Sequence, residues 1–333
     1  MNDKSFKPII LFALMEILVT GGAGYIGSAL VKSLIEKKHN VGVIDNLSKG
    51  KKEYLHPKAK FYRTDLVDKK ELAGNFKNSK FDAVIHLAAY KSVEESMKNP
   101  EKYKDNVVAA NNLLELIEKH AIKKLIFSST AAVYGTPQYS PLDENHSTKP
   151  INVYGQGKLE VEKNIMKVCE KNSVDYIILR YFNVAGDAGL NYIDPAPENV
   201  FPKLMDVVFG KRREFTIFGN DYKTRDGTCI RDYIDINDIV KAHILSLDVN
   251  SNNIMNIGTS NGISVLELVK SAEKVIEKKI PFKFGPRRAG DCPELVASNQ
   301  LAKRIMKWKP EKSIDSMILS TYNAYKNRYN PRP

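Results

Sequence analysis

Cysteine is scarce in this 333-residue chain: Cys169, Cys229 and Cys292 are scattered, odd in number, and never form a Cys-x-x-Cys pair. That pattern argues against a disulfide framework and a zinc ribbon. Six histidines include no His-x-x-x-His pair, so no metal is expected. Long apolar runs are also missing. The run Pro8-Ile9-Ile10-Leu11-Phe12-Ala13-Leu14 is too short to span a bilayer and lacks a cleavage site, because Met15-Glu16-Ile17-Leu18-Val19 leads directly into a glycine turn. Residues 1–14 read as an extension before the fold, with Met15 as a candidate initiator and a weak signal segment as the alternative. No membrane partner is expected, and the expected compartment is cytoplasmic. Acidic residues fall short of basic ones, 39 against 51, for a net charge of +12. The lysines, however, lie in Glu/Lys mixtures such as Glu36-Lys37-Lys38, without interleaved aromatics. This is the pattern of a solvated cationic surface rather than a nucleic-acid face, and it can help collect an anionic small substrate.

The first half of the chain alternates two patterns. Apolar runs at 17–20, 41–45, 83–89, 125–129 and 176–182 read as buried strands, with helical stretches at 25–38, 68–77, 92–119 and 153–171 between them. Short β-α spacing with right-handed crossovers predicts an α/β fold built on a doubly wound parallel sheet. After Asn183 the pattern loosens into a segment rich in Pro, Gly and Asn, with Pro195, Pro197 and Pro202. A helix near 200–210, a strand at 215–218 and a loop at 219–228 follow. The expected organisation is a cofactor domain at 15–183 and a smaller mixed α/β lobe at 184–333 covering the sheet's C-terminal edge, with the chain crossing back to the sheet near 229–260.

Gly21-Gly22-Ala23-Gly24-Tyr25-Ile26-Gly27 follows the first strand and opens a helix, and Asp45 ends the next strand. Gly21 suits a tight turn, Gly24 the approach of a pyrophosphate and Gly27 close helix packing. A carboxylate at Asp45 would accept from ribose hydroxyls and repel a 2′-phosphate, which favours NAD over NADP.

Tyr-x-x-x-Lys occurs three times, at Tyr54/Lys58, Tyr154/Lys158 and Tyr322/Lys326. Pro57 interrupts the first, and the third lies far from the glycine turn. Tyr154 and Lys158 instead follow a strand that ends in Ser128-Ser129-Thr130, placing hydroxyls at the edge where such folds bind ligands. A tyrosine acting as a base near neutrality must be lowered by about three units, or ~4 kcal/mol. One ammonium at ~6 Å and an effective dielectric of ~20 supplies roughly 2–3 kcal/mol, leaving the rest to a positively charged nicotinamide ring.

From Met15 onward the chain resembles the UDP-glucose (UDP-galactose) 4-epimerases, a family of extended short-chain dehydrogenases/reductases. The resemblance is carried by Val19 to Gly27, Asp45-Asn46-Leu47, Phe127-Ser128-Ser129-Thr130, Tyr154-Gly155 and Leu179 to Gly186. In the second half it is carried by Ile217 to Tyr222, Asp226-Gly227-Thr228, Arg231-Asp232-Tyr233-Ile234 and Arg287 to Asp291. The resemblance implies a Rossmann-like domain and a tightly bound NAD lined by Tyr25, Ile26, Asp45, Asn46, Asp65, Leu66, Ala88, Lys91, Asn106 and Phe182, as well as by Tyr154 and Lys158. Thr130 would relay the sugar proton, Tyr154 would be the acid/base, and Lys158 would hold both Tyr154 and the nicotinamide ribose. Asn183, Asn199, Phe218, Arg231, Arg288 and Asp291 would hold the UDP-hexose. The implied reaction interconverts UDP-galactose and UDP-glucose by transient oxidation at C4, and helices 92–119 and 153–171 would form a homodimer contact. The chain departs from the family pattern at Gly157, which stands where a Ser is usual, at Val107 with Ala109-Ala110, and at Leu295, where side-chain size gates room for an N-acetyl group.

Four other readings compete, one of them a non-enzymatic cofactor-sensing or nucleic-acid-binding module, which would be expected to have lost the Tyr/Lys/hydroxyl set that stands here. A UDP-N-acetylglucosamine 4-epimerase keeps the same machinery. A 4,6-dehydratase would follow its hydroxyl strand with Asp-Glu, whereas Ala131-Ala132 stand here. A serine hydrolase could use Gly258-Thr259-Ser260-Asn261-Gly262, but it needs a later histidine and His243 is the last. The plainer reading of that segment is a turn leading to a Ser264/Glu267 capping box.

Overall fold

The computed structural model describes residues 14–77, 80–194, 199–288 and 290–329. The extension reading of residues 1–13, the Pro195 and Pro197 breaks and Ala289 therefore lie outside the described residues. The strands are β1 (Glu16–Thr20), β2 (Asn40–Ile44), β3 (Lys60–Tyr62), β4 (Ala83–His86), β5 (Lys124–Thr130), β6 (Asp175–Tyr181), β7 (Asn183–Ala185), β8 (Phe215–Phe218), β9 (Ile230–Asp235), β10 (Asn253–Ile257), β11 (Gly262–Ser264), β12 (Phe282–Gly285) and β13 (Glu294–Leu295). The helices are α1 (Tyr25–Glu36), α2 (Lys69–Phe76), α3 (Val93–Lys98), α4 (Pro100–Lys119), α5 (Val153–Lys171), α6 (Val200–Val208), α7 (Ile236–Ser246), α8 (Val265–Ile276), α9 (Gln300–Met306) and α10 (Ile314–Tyr329).

Among the described residues, one parallel sheet runs in the order β10-β6-β5-β4-β1-β2-β3. Its strands are apolar on both faces, and successive residues feed two different cores. Ile17, Val19, Val43, Ile126 and Ile177 pack towards α1 and α7, whereas Leu18, Ile44, Val84, Leu125 and Ile178 pack towards α2, α4 and α5. Each such side chain, fully buried, contributes about 1.5–3 kcal/mol, which commits the chain to helices on both faces.

Two expected elements change length. The 92–119 stretch is broken, because Asn99 adopts φ −131° and ψ 64° and Pro100 starts α4. Proline lacks the N–H to continue a helix and disfavours a helical residue before it. The strand expected over 83–89 ends at His86, where Leu87 N turns to donate to Thr20 O. The short edge strand β3 carries no apolar run and escapes the periodicity argument.

The return to the large sheet is made by β10 alone, beside β6. β9 instead joins β7, β11 and β13 in a small sheet, while β8 pairs with β12. These strands, with α6, α8 and α10, enclose a separate core around Leu204, Ile217, Leu268 and Ile318. Ser264 and Glu267 form the capping box of α8. The Gly258–Gly262 segment is a turn held by Asp232, whose carboxylate accepts from Thr259 N at 2.7 Å and Ser260 N at 3.0 Å. Among the described residues, no helix is long and apolar enough to cross a membrane, and no cluster of ligating side chains could hold a metal.

Candidate active site

β1 and β4 are neighbours although two strands separate them in the chain, so their carboxyl ends diverge and leave a crevice. Gly21 lies there with φ 72°, and a Cβ on it would fall 2.7 Å from Ala88 N. A Cβ on Gly27 would fall 2.1 Å from Gly21 O, so the helix closes on the turn only because it is bare. Gly24 caps α1 without a side-chain bond, and no acidic residue sits in the first turn. The first N–H groups and the helix dipole are therefore available to an anion.

Asp45 accepts from Ala23 N at 3.0 Å and from Leu47 N at 2.8 Å. Burial pushes its pKa up while those two donors lower it, and each oxygen keeps a lone pair. Asn46 donates to Asp65 at 2.9 Å, and the carbonyl of buried Leu66 accepts from Asn112 at 2.9 Å. Tyr25, beside Ile26 at the start of α1, donates its hydroxyl to Gly186 O and carries Lys91 Nζ 5.7 Å above its ring. Asn106 faces the main chain of Tyr90, bonding it in both directions at 2.9 and 3.0 Å, and so pins the loop after β4 to α4. Phe182 is buried among Val133, Tyr134 and Leu142. A cradle that a side chain would fill, a helix N-terminus without a side-chain cap and a carboxylate on the next strand fit a dinucleotide with free ribose hydroxyls.

The three hydroxyl residues closing β5 diverge in their contacts. Thr130 lies beside the Tyr154 hydroxyl and lowers its pKa. Ser128 gives its carbonyl to Lys158 Nζ at 2.7 Å, and Ser129 donates to Glu162 at 2.5 Å. α5 is placed by Asn152, which accepts from Gly155 N at 2.8 Å, and by Tyr154 N donating to Ser96 Oγ at 3.2 Å. The spacing thus brings Tyr154, Lys158 and Thr130 together, but the share of the lowering assigned to the Lys158 ammonium is not found. Burial pushes the half-buried phenol up to about 12, and the Thr130 side chain is what opposes the rise. Lys158 is only 4% exposed, and desolvation brings it down to about 7. Its ammonium points to the Ser128 carbonyl and lies 4.6 Å over the Phe127 ring, so it is engaged away from the phenol.

Four of the substrate candidates converge. Asp291 accepts from Arg288 Nε at 2.9 Å and from Arg231 Nη2 at 3.3 Å, and the Arg288 guanidinium lies 5.0 Å from the Phe218 ring. Arg231 also donates to Ile230 O and Cys292 O at 2.8 and 2.9 Å, which fixes its fork. This loop meets the entrance of α5, since a Cβ on Gly290 would lie 3.9 Å from Ile151. Asn183 donates to Asp232 O at 3.2 Å, beside Arg231 on β9. Asn199 stands apart from the arginines. It donates to Asp194 at 2.5 Å, and Asp194 in turn pairs with Lys91 at 3.0 Å. A groove of 450 Å³ between α1 and α7 holds none of these residues.

A sequence model of the NAD dependent epimerase/dehydratase family matches residues 17–258. The chain belongs to this family. Membership makes it an NAD-dependent enzyme. The UDP-glucose 4-epimerase of Lactobacillus helveticus is 41% identical over 322 residues, covering 94% of this chain and 98% of that protein. The crystal structure of UDP-glucose-4-epimerase from Stenotrophomonas maltophila, with bound NAD and formylated UDP-arabinopyranose, superposes with a TM-score of 0.91 at 33% identity, covering 96% of this chain and 100% of that one. The enzyme from Bifidobacterium longum, in complex with NAD+ and UDP, gives 0.88 at 36% identity over 95% and 99% of the two chains.

In this epimerase/dehydratase family member, two groups beside the site were not identified from sequence. Asp194 bridges Lys91 and Asn199, and the buried Glu162–Arg180 pair lies one turn beyond Lys158. The second left a signal, because Arg180 interrupts an apolar strand and Glu162 falls on the inward face of α5.

Proposed function

We propose that the chain interconverts UDP-galactose and UDP-glucose, with residues 15–183 holding the cofactor and residues 184–333 the UDP-hexose. The observation that carries this reading is the Thr130–Tyr154 contact at the carboxyl end of β5, with Lys158 one turn along α5. NAD, when bound, supplies a hydride acceptor and donor for C4 of the sugar. Gly21, Gly24, Gly27 and the α1 N-terminus would hold its pyrophosphate, and Asp45 its adenosine ribose. The remaining cofactor contacts fall to Tyr25, Ile26, Asn46, Asp65, Leu66, Ala88, Lys91, Asn106 and Phe182.

Tyr154 is the group that takes and returns the proton of the 4-hydroxyl, and Thr130 relays it. Arg231 and Arg288 suit a diphosphate, because guanidinium forks match its oxygens and Asp291 orients both. Phe218, Asn183 and Asn199 complete the substrate side. A 4-keto sugar held there exposes either face as it turns. The test is to incubate purified protein with UDP-galactose and no added NAD. UDP-glucose should accumulate to equilibrium. Protein that retains dinucleotide yet makes no UDP-glucose overturns the reading.

A UDP-N-acetylhexosamine epimerase is the second reading. Leu295, half-buried against the Phe182 cluster, is mid-sized where room for an N-acetyl group is decided. Parallel rates on UDP-N-acetylgalactosamine separate the two. A homodimer through α4 and α5 is supported by exposed Met97 (58%) and Val108 (41%) near that helix pair. Light scattering at the mass of one chain counts against it. Cys169, Cys229 and Cys292 are all free thiols, which supports a reducing, cytoplasmic setting.

A further inference from the structure

Glu162 lies on α5 four residues past Lys158 and is wholly inaccessible to solvent. Three donors hold its carboxylate: Ser129 Oγ at 2.5 Å and Arg180 Nε at 3.0 Å on one oxygen, Arg180 Nη2 at 2.6 Å on the other. Arg180 is itself buried. It donates to the Tyr134 hydroxyl at 3.0 Å, which donates on to Asn256 at 2.7 Å. An ion pair this deep is a poor source of stability, because apolar residues of the same volume commonly do as well or better. Its position suggests another use. Ser129 separates Ser128, which holds Lys158, from Thr130, which lies beside Tyr154, and residues four apart share a helix face.

We propose that Glu162, clamped by Arg180 and Ser129, is a positioning residue that keeps Lys158 an ammonium and fixes the turn of α5 carrying Tyr154. The idea rests on the acid/base reading of Tyr154 and Lys158. Desolvation drives Lys158 down to about 7, and the Glu162 charge opposes it. From β6 the Arg180 guanidinium sets a positive charge against it, and the other groups around this helix do not replace the Glu162 charge. On β4, burial holds His86 down to about 3, where it stays neutral. On β6 and in the turn Ala131–Tyr134 after β5, burial raises Tyr181 and Tyr134, so both remain protonated. From α3 and α4, Glu95 is occupied by Lys102 at 2.5 Å and Tyr103 at 3.1 Å.

The test follows Lys158 directly, by NMR titration of 13C-labelled lysine ε-carbons in the protein as purified with its dinucleotide. The resonance is assigned with Lys158→Met. The main variant is Glu162→Gln; because it strands a buried guanidinium and can cost the fold, the double substitution Glu162→Gln with Arg180→Met, which removes both charges of the pair, is measured beside it. The Glu162→Gln midpoint should fall by about one unit, a tenfold loss of ammonium above the midpoint, and the double variant's should fall by less, because the Arg180 charge leaves with that of Glu162. The alkaline limb of kcat should move to lower pH by the same amount, with KM for UDP-galactose unchanged. Glu162→Asp, which keeps the charge, should restore most of the shift. A folded Glu162→Gln variant with the wild-type Lys158 midpoint overturns the proposal, as does a double variant whose midpoint rises above the wild type's, because Arg180 then outweighs Glu162, or a Glu162→Asp midpoint displaced as far as that of Glu162→Gln. Should the wild type titrate as described yet fail to epimerise UDP-galactose, the acid/base reading falls instead.

Discussion

At the scale of single residues, the site turns on a phenol that its own surroundings keep protonated. Burial raises Tyr154 to about 12, and the Thr130 hydroxyl, already accepting from Ala132 N at 3.2 Å, lowers it. Thr130→Val removes that hydroxyl, so the phenol should become still harder to deprotonate. A hydrogen bond worth about 1 kcal/mol corresponds to roughly fivefold in rate. The expected result is a kcat about fivefold lower near pH 7 and an acid limb moved to higher pH, so the deficit shrinks as pH rises. An acid limb that stays in place while kcat falls would show that Thr130 only shapes the pocket. Tyr154→Phe should cost about 10²–10⁴-fold, with bound dinucleotide retained, as read by epimerisation rate and released-nucleotide absorbance. Both residues were legible in the sequence, because a strand ending in hydroxyls, the Tyr-x-x-x-Lys pair after it and the glycine turn upstream together point to one sheet edge. The electrostatic balance was not. It depends on how far Lys158 is desolvated and on the Ser128 carbonyl taking its ammonium, and neither is visible without the packing.

At the scale of elements, α5 carries the chemistry and contains a weak point. Gly157 lies between Tyr154 and Lys158, and a Cβ there would find only Val107 Cγ2 at 3.8 Å, an ordinary contact. A mid-helix glycine costs about 0.5–1 kcal/mol relative to alanine. Gly157→Ala should therefore stabilise the protein by about that amount, read as a raised thermal midpoint, with turnover of UDP-galactose unchanged. A lowered midpoint would mean that the α4–α5 face needs the bare backbone. Most elements were readable from apolar period and caps. Ser264 with Glu267 before α8 is a local signal that survives folding. What was lost is equally local in cause. The edge strand β3 has three half-exposed or exposed residues and no run to detect, and Pro100 splits a helical pattern whose amphipathic face continues across the break. The pairing of β9 with β7, β11 and β13 depends on contacts far apart in sequence, which period and propensity do not record.

At the scale of the whole molecule, pH acts through many buried groups, and their signs decide where stability can be read. On the acid side the contributions oppose one another. Burial lowers His86 and His243 to about 3, so their contribution is lost as pH falls below about 6.5. The carboxyls of Asp45, Asp232, Asp235 and Asp238 are raised by burial and shed a penalty over the acid range. Lys158 and Lys124 are lowered, which favours the folded chain as pH rises, but only until the unfolded lysines deprotonate near about 10.4. Above that point the sign is uniform. Tyr154 and Tyr176 rise to about 12, and Tyr25, Tyr103, Tyr181 and Tyr233 are raised as well, in each case chiefly by burial. Their contribution is fully present below the unfolded tyrosine value of about 10 and is lost as pH climbs through the folded values. Alkaline unfolding should accordingly be cooperative between about pH 10 and 12, with the far-ultraviolet dichroism collapsing in the same interval as a steep rise in tyrosinate absorbance. A gradual absorbance rise from pH 10 with dichroism intact would mean that these hydroxyls reach solvent in the folded protein, and with them the desolvated setting of Tyr154.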